Sequence, residues 1–127
     1  MPLDFNEVYT LFERDADDEV HTLVMAPRTR TIDGKRAIQV ITTSDTPGFN
    51  VHTLLGVEFV EETATSIRLR ADDLVEARFE LLTIERWSEL FPDSVGRDIL
   101  LANAKTDAAL RYLLWESYVD STWIENP

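Results

Sequence analysis

The sequence contains no cysteine, which excludes disulfides, thiolate metal sites and a thiol nucleophile. Its four glycines are too dispersed for a loop that cradles phosphate, and no GxSxG nucleophile motif is present. No apolar run approaches the roughly 20 residues that span a bilayer. The start, MPLDFNEVY, lacks the basic and apolar regions of a signal peptide. We therefore expect a cytoplasmic protein, or one incorporated in a particle assembled in the cytoplasm, with no cofactor, membrane partner or small-molecule substrate.

The composition is that of an ordinary globular protein. Hydrophobic residues make up 44% of the 127 positions and charged residues 28%, which is too apolar for a disordered chain. A chain of this length buries enough surface to fold without covalent staples. We predict one domain over residues 1–127.

Basic residues are scarce, at 12 against 24 acidic ones, and the formal net charge is −12. A field of this sign repels free nucleic acid, which we exclude as a partner, and attracts basic proteins. The same excess of acid is typical of surfaces that only confer solubility.

The charges are distributed unevenly along the chain. An acidic run over residues 13–19 adds Asp15, Asp17, Asp18 and Glu19 to Glu13. It does not fit a calcium-binding EF-hand loop, because the sixth residue counted from Asp15 is Val20 rather than glycine. The run is therefore interpreted either as a solvated loop or as an acidic docking patch.

A basic arm over residues 28–36 follows the acidic run. It carries Arg28, Arg30, Lys35 and Arg36. These cations could grip phosphate or an acidic patch on a neighbouring subunit, or they could only protect an exposed hairpin from unwanted sheet pairing. Docking of the arm onto the acidic run of another copy would be a head-to-tail contact of the kind that builds rings or filaments.

The N-terminus shows a helical pattern. Asp4 and Glu7 have the spacing of a capping box, and the apolar residues that follow lie three and four positions apart. These residues are Phe5, Val8, Tyr9 and Phe12. The spacing predicts a helix from Asp4 to about Arg14.

The middle of the chain predicts four or five antiparallel strands. Residues 20–26 and 51–60 are rich in strand formers, and Asp33-Gly34 is typical of a two-residue hairpin turn. Pro27 indicates an edge or broken strand. Residues 46–49 predict a type II turn. Residues 74–84 alternate as a strand does, although a helix fits the same residues.

The last third predicts two or three helices. The first covers Glu85 to Phe91, the second is capped by Asp93 or Ser94, and Thr106 caps the third. Strands followed by helices indicate an α+β fold. Aromatic residues crowd this region, and Trp115, Tyr118 and Trp123 are candidates for a partner contact or for the core.

The only imidazoles, His21 and His52, both fall in predicted strands. If these strands paired, the two rings and a carboxylate such as Glu58 could form a metal or hydrolytic site. No histidine-rich metal motif supports this site, so we predict no metal ligand and no catalytic residue.

An acidic module with a basic arm and no catalytic motif resembles, in general outline, small accessory proteins of phages and mobile elements. We predict a non-enzymatic protein–protein interaction module, a structural or assembly component of a phage-like or other multi-subunit particle, which docks through the basic arm and the C-terminal aromatics and can self-assemble. One alternative is an acidic inhibitor or immunity-type protein that covers a basic site. Its patch would combine the acidic run with Glu61, Glu62, Asp72 and Asp73. A small hydrolase using histidine and carboxylate is the other alternative.

Overall fold

The computed structural model describes residues 3–43, 50–94 and 96–125. Seven strands precede four short helices within these residues. The strands are β1 (Val8–Arg14), β2 (Glu19–Ile32), β3 (Lys35–Thr42), β4 (Asn50–Leu55), β5 (Glu58–Glu62), β6 (Ser66–Ala71) and β7 (Leu74–Leu81). The helices are α1 (Ile84–Leu90), α2 (Arg97–Asn103), α3 (Asp107–Tyr118) and α4 (Ser121–Glu125). None of them is long and apolar enough to cross a membrane.

The strands form one antiparallel sheet in the order β4-β3-β2-β1-β7-β6-β5. Its two edge strands, β4 and β5, follow each other in the chain with only residues 56–57 between them. The Val57 N–H donates to the Arg36 carbonyl, and the Asp72 N–H donates to the Leu55 carbonyl. The sheet is therefore rolled until its edges meet at this point.

The predicted arrangement, with an N-terminal helix, four to five strands and two to three helices, is wrong. Residues Val8–Arg14 form a central strand rather than a helix. Its first four residues, Val8, Tyr9, Thr10 and Leu11, are all buried because both faces of the strand are covered. A strand buried on both faces loses the alternation of polar and apolar residues, so its sequence can imitate the spacing of a helix.

Other local predictions are confirmed or refined by the sheet. The Asp33-Gly34 turn joins β2 to β3, with both residues at positive φ (52° and 77°) as a type I′ turn requires. Residues 74–81 are a strand, and no helix covers them. Residues 51–60 form two strands interrupted at Gly56. Pro27 lies inside the non-edge strand β2, at a bulge between Met25 and Arg28. The turn predicted at 46–49 lies outside the described residues.

Two hydrophobic cores lie on opposite faces of the sheet. The inner core fills the roll with side chains such as Leu11, Val24, Ile38 and Phe79. The outer core lies under the helices, where Trp87 and other helical residues pack on Val8, Met25 and Ile41. Strands that contribute to both cores alternate between them, as the pleat requires, except at the bulge of β2, where Met25 and Ala26 both lie in the outer core.

The helices begin where side chains can cap them, with one exception. Thr83 caps α1 by accepting from the Arg86 N–H, and Thr106 caps α3 by accepting from the Ala109 N–H, as predicted for Thr106. The N-cap of α2 is Gly96, with no side-chain cap, rather than Asp93 or Ser94.

Candidate functional site

The basic arm is the hairpin between β2 and β3, and two of its cations contact other parts of the same chain. The Lys35 ammonium donates to the Asp72 carboxylate at 2.6 Å, and this hydrogen bond raises the pKa of Lys35. The Arg36 guanidinium lies over the Phe59 ring, 5.6 Å from its centroid. Asp72 and Phe59 belong to the part of the sheet that closes against the arm. Lys35 and Arg36 therefore stabilise the rolled sheet at the point where its two edges meet.

Arg28 and Trp123, both proposed as partner contacts, lie against each other in the interior. Each is 6% exposed. The guanidinium carbon of Arg28 is 3.3 Å from the centroid of the Trp123 ring, and its Nη2 donates to the Trp123 carbonyl. Trp123 Nε1 in turn donates to the Ala26 carbonyl at 3.0 Å. The arm and the C-terminal aromatics thus meet within one chain, where they anchor α4 to the bulge of β2.

Burial leaves the Arg28 guanidinium incompletely hydrogen-bonded. Its Nε and Nη1 are buried with no hydrogen-bond partner. Burial first, and then the neighbouring charge of Arg30, lower the pKa of Arg28. The face of Trp123 supplies a cation–π contact in place of these hydrogen bonds.

The acidic run covers the end of β1, the exposed turn at residues 15–18 and the first residue of β2. The Asp15 carboxylate accepts hydrogen bonds from the backbone N–H groups of Asp17 and Asp18, both at 2.8 Å. Asp17, Asp18 and Glu19 are exposed to solvent. Within the described residues, no ion pair joins the acidic run to the basic arm. Residues 15–18 form a self-capped turn, and the carboxylates of Asp17, Asp18 and Glu19 face water, whereas Glu13 is partly buried.

Trp115 and Tyr118 are half-buried on α3 and pack against the outer core. Trp115 Nε1 donates to the Phe5 carbonyl at 3.0 Å, and its ring meets the Phe5 ring edge-on. These contacts tie α3 to the segment that precedes β1.

The two histidines do not share a site. Strand β3 lies between β2 and β4, and the rings point to opposite faces of the sheet. His21 is exposed and lies 5.1 Å from the Phe12 ring, whereas His52 contacts Glu13. The carboxylate proposed to join them, Glu58, pairs with Arg70 instead. No group of three potential metal ligands is found among the described residues.

Glu13 is the partner of His52, a contact that was not predicted from the sequence. Its carboxylate contacts His52 Nε2 across the roll, from central strand β1 to edge strand β4. The neighbours of Glu13 on the adjacent strands, Val20 and Ala77, are uncharged. Glu13 lies two residues after Leu11, so in a strand both side chains lie on the same, inner face of the sheet. This shared face could not be recognised while the segment was predicted to be a helix.

The Glu13–His52 pair is partly shielded from water. The side chain of Glu13 is 17% exposed and that of His52 is 40% exposed. The hydrogen bond from Glu13 raises the pKa of His52, against an opposing effect of desolvation. The pair therefore carries opposite charges over a wider pH range than an isolated histidine would allow.

The two edges of the sheet differ in their protection against strand pairing. Strand β5 carries Glu58, Glu61 and Glu62 and is irregular between Phe59 and Glu61. Strand β4, with the sequence NVHTLL, has no acidic residue, lysine or arginine, and its six residues pair with β3 without a register shift. Charges and bulges prevent unwanted pairing at sheet edges. Strand β4 has no bulge, and its one titratable side chain, His52, points inward to Glu13.

The outward backbone groups of β4 follow from the pairing pattern. In an antiparallel pair, the N–H and C=O of one residue point to the same side, and the side alternates along the strand. The Leu55 carbonyl accepts from Asp72 rather than from β3, so the groups of Thr53 and Val51 also point away from β3. No described residue pairs with this side of Val51 or Thr53.

The outward side of β4 is also partly apolar. Val51 is 43% exposed and Leu55 is 37% exposed. Directly opposite residues share a face of the sheet, so Val51 lies beside Ile41 of the outer core, at the end of the helical cover. As far as the described residues go, β4 thus presents backbone groups with no strand partner, together with the exposed apolar side chains of Val51 and Leu55.

Comparisons of the chain with protein-family models, with curated proteins and with solved structures found no match.

Proposed function

We propose that this chain is a non-enzymatic protein–protein interaction module, an assembly component that takes up a partner's β-strand at the edge of β4. The observation that carries the proposal is the contrast between the two edges of one sheet. Strand β5 carries three glutamates and an irregularity, whereas β4 is regular and has no acidic residue, lysine or arginine. An unguarded edge is a template for β-strand addition, in which backbone hydrogen bonds supply affinity.

The geometry limits how far a partner strand can extend. The Asp72 N–H already occupies the Leu55 carbonyl, and the Lys35–Asp72 ion pair covers the same corner of the roll. A partner strand therefore pairs with Val51 and Thr53 and ends before Leu55. Val51, with 43% of its surface exposed, supplies an apolar contact beside these hydrogen bonds.

A proline at position 53 tests this proposal. Thr53→Pro removes an N–H that points away from β3, so the internal ladder of the sheet is retained while pairing with a partner strand is blocked. The matched control, Thr53→Val, changes the side chain and keeps the N–H. Circular dichroism checks that both variants retain the wild-type sheet.

Complex formation is measured by size-exclusion chromatography with light scattering, at low and high salt, for the purified chain alone and after incubation with extract of the cells that make it. We expect complexes of the wild-type chain and of Thr53→Val that persist at high salt and disappear in Thr53→Pro. Complexes that form equally well with Thr53→Pro would rule out β4 as the interaction edge.

The exposed acidic run supports a second candidate, binding of a basic protein. Asp17, Asp18 and Glu19 face solvent on a tight turn in a chain of net charge −12. Binding through these charges would weaken steeply with salt, because steering between opposite charges is screened. Complexes lost at high salt, and unaffected by Thr53→Pro, would favour this candidate over pairing at β4.

A further inference from the structure

We infer that the Glu13–His52 pair is a pH-dependent clasp that holds edge strand β4 onto the rolled sheet and so controls the strand's availability for pairing. Only the last part of this inference, the link to pairing, rests on the proposed function. The clasp itself follows from the position of the two side chains.

The clasp joins strands that are distant in the sheet. Strands β3 and β2 separate β4 from β1 in the order of pairing, yet His52 Nε2 of β4 contacts the Glu13 carboxylate of β1. Strand β4 pairs with β3 along one side, and its end is tied by the bond between Leu55 and Asp72. The Glu13–His52 contact fixes the middle of β4 from the inner face, independently of those backbone bonds.

Among the described residues, Glu13 is the one charged group that acts on His52. The residue opposite His52 on β3 is Val40, and the inner positions of the neighbouring strands near Glu13 are Val20 of β2 and Ala77 of β7. None of these residues titrates. His21 lies on the other face of the sheet, against Phe12. Within the part of the chain that the structure describes, protonation of His52 is therefore coupled to Glu13 alone.

The direction of the pH effect follows from the raised pKa of His52. A group whose pKa is higher in the folded state contributes stability that is fully present below its unfolded pKa of about 6.5. That contribution is lost as the pH rises through the folded value. Strand β4 is thus held most tightly below about pH 6.5 and is released as the pH rises through the folded-state pKa of His52.

The first measurement is the NMR titration of His52 in the full chain. We expect its pKa to lie above about 6.5, the value of an unperturbed histidine, and to fall in Glu13→Gln. The second measurement is amide hydrogen exchange of β4 between pH 5.5 and 8.5, expressed as protection factors so that intrinsic exchange is removed. Protection of β4 should fall several-fold across this range in the wild-type chain.

Two variants separate the clasp from general destabilisation. His52→Gln should give β4 protection that is low and independent of pH, whereas His21→Gln, the same change on the opposite face, should retain the wild-type profile. The clasp would be overturned if the pKa of His52 were unshifted and did not change in Glu13→Gln. It would also be overturned if the protection of β4 were equal in all variants. If β4 protection depends on pH as expected but complexes form equally well with Thr53→Pro, the clasp is supported and pairing at β4 is rejected.

Discussion

At the scale of single residues, Gly56 is the position where closure of the roll depends most on the absence of a side chain. It has φ +67°, and a Cβ placed there would lie 2.6 Å from the Asp72 Cγ. Asp72 cannot move away freely, because its N–H holds Leu55 and its carboxylate holds Lys35. Glycine is therefore required here by its conformation and by the close approach of Asp72.

We expect Gly56→Ala to lower the free energy of unfolding by about 2 to 4 kcal/mol, from left-handed strain together with displacement of Asp72. Gly34→Ala is the matched control, because Gly34 also has positive φ (77°) but no atom within 4 Å of the added Cβ. It should cost only about 1 kcal/mol. Urea unfolding measures both changes, and equal losses would show that the Asp72 contact is unimportant.

At the scale of secondary-structure elements, the five-residue helix α4 is too short to be stable by itself. Its one buried residue is Trp123, which stacks on Arg28 and donates to Ala26. The docking of this element therefore depends largely on a single side chain.

Trp123→Ala should destabilise the chain by about 3 to 5 kcal/mol, the usual cost of removing a buried tryptophan, and should release α4. Ile124→Ala, on the same helix at a position that is 43% exposed, should change stability by less than about 0.5 kcal/mol. Urea unfolding and limited proteolysis test the pair. If Trp123→Ala left α4 resistant to protease, the anchoring role of Trp123 would be wrong.

Prediction from sequence succeeded for elements specified by local chemistry. The Asp33-Gly34 turn and the Thr106 cap rest on the backbone preferences of a few residues and are present in the structure. Strand β1 was mistaken for a helix because its burial on both faces is decided by β2, β7 and the helices, which no local window contains. The Glu13–His52 contact was missed for the same reason, since it depends on how far the sheet rolls.

At the scale of the whole molecule, the rolled sheet is closed by the two-residue connection between its edge strands, residues 56–57. We expect four Gly and Ser residues inserted after Gly56 to cost about 2 kcal/mol, from added loop entropy and the hydrogen bond between Val57 and Arg36. The same insertion after Lys105, an exposed residue between α2 and α3, should cost less than about 1 kcal/mol. Chemical denaturation compares the two, and equal costs would contradict closure at residues 56–57.

Strand β2 couples the unfolding of the two hydrophobic cores. Val24 lies in the inner core, and its neighbours Leu23 and Met25 lie in the outer core, so consecutive residues of one strand bridge both. If either core unfolded, β2 would lose its regular backbone conformation, and the side chains that it contributes to the other core would no longer be held in place. The helices and the roll should therefore unfold in one calorimetric transition, with the van't Hoff enthalpy equal to the measured heat, although the chain arranges its apolar residues in two separate layers.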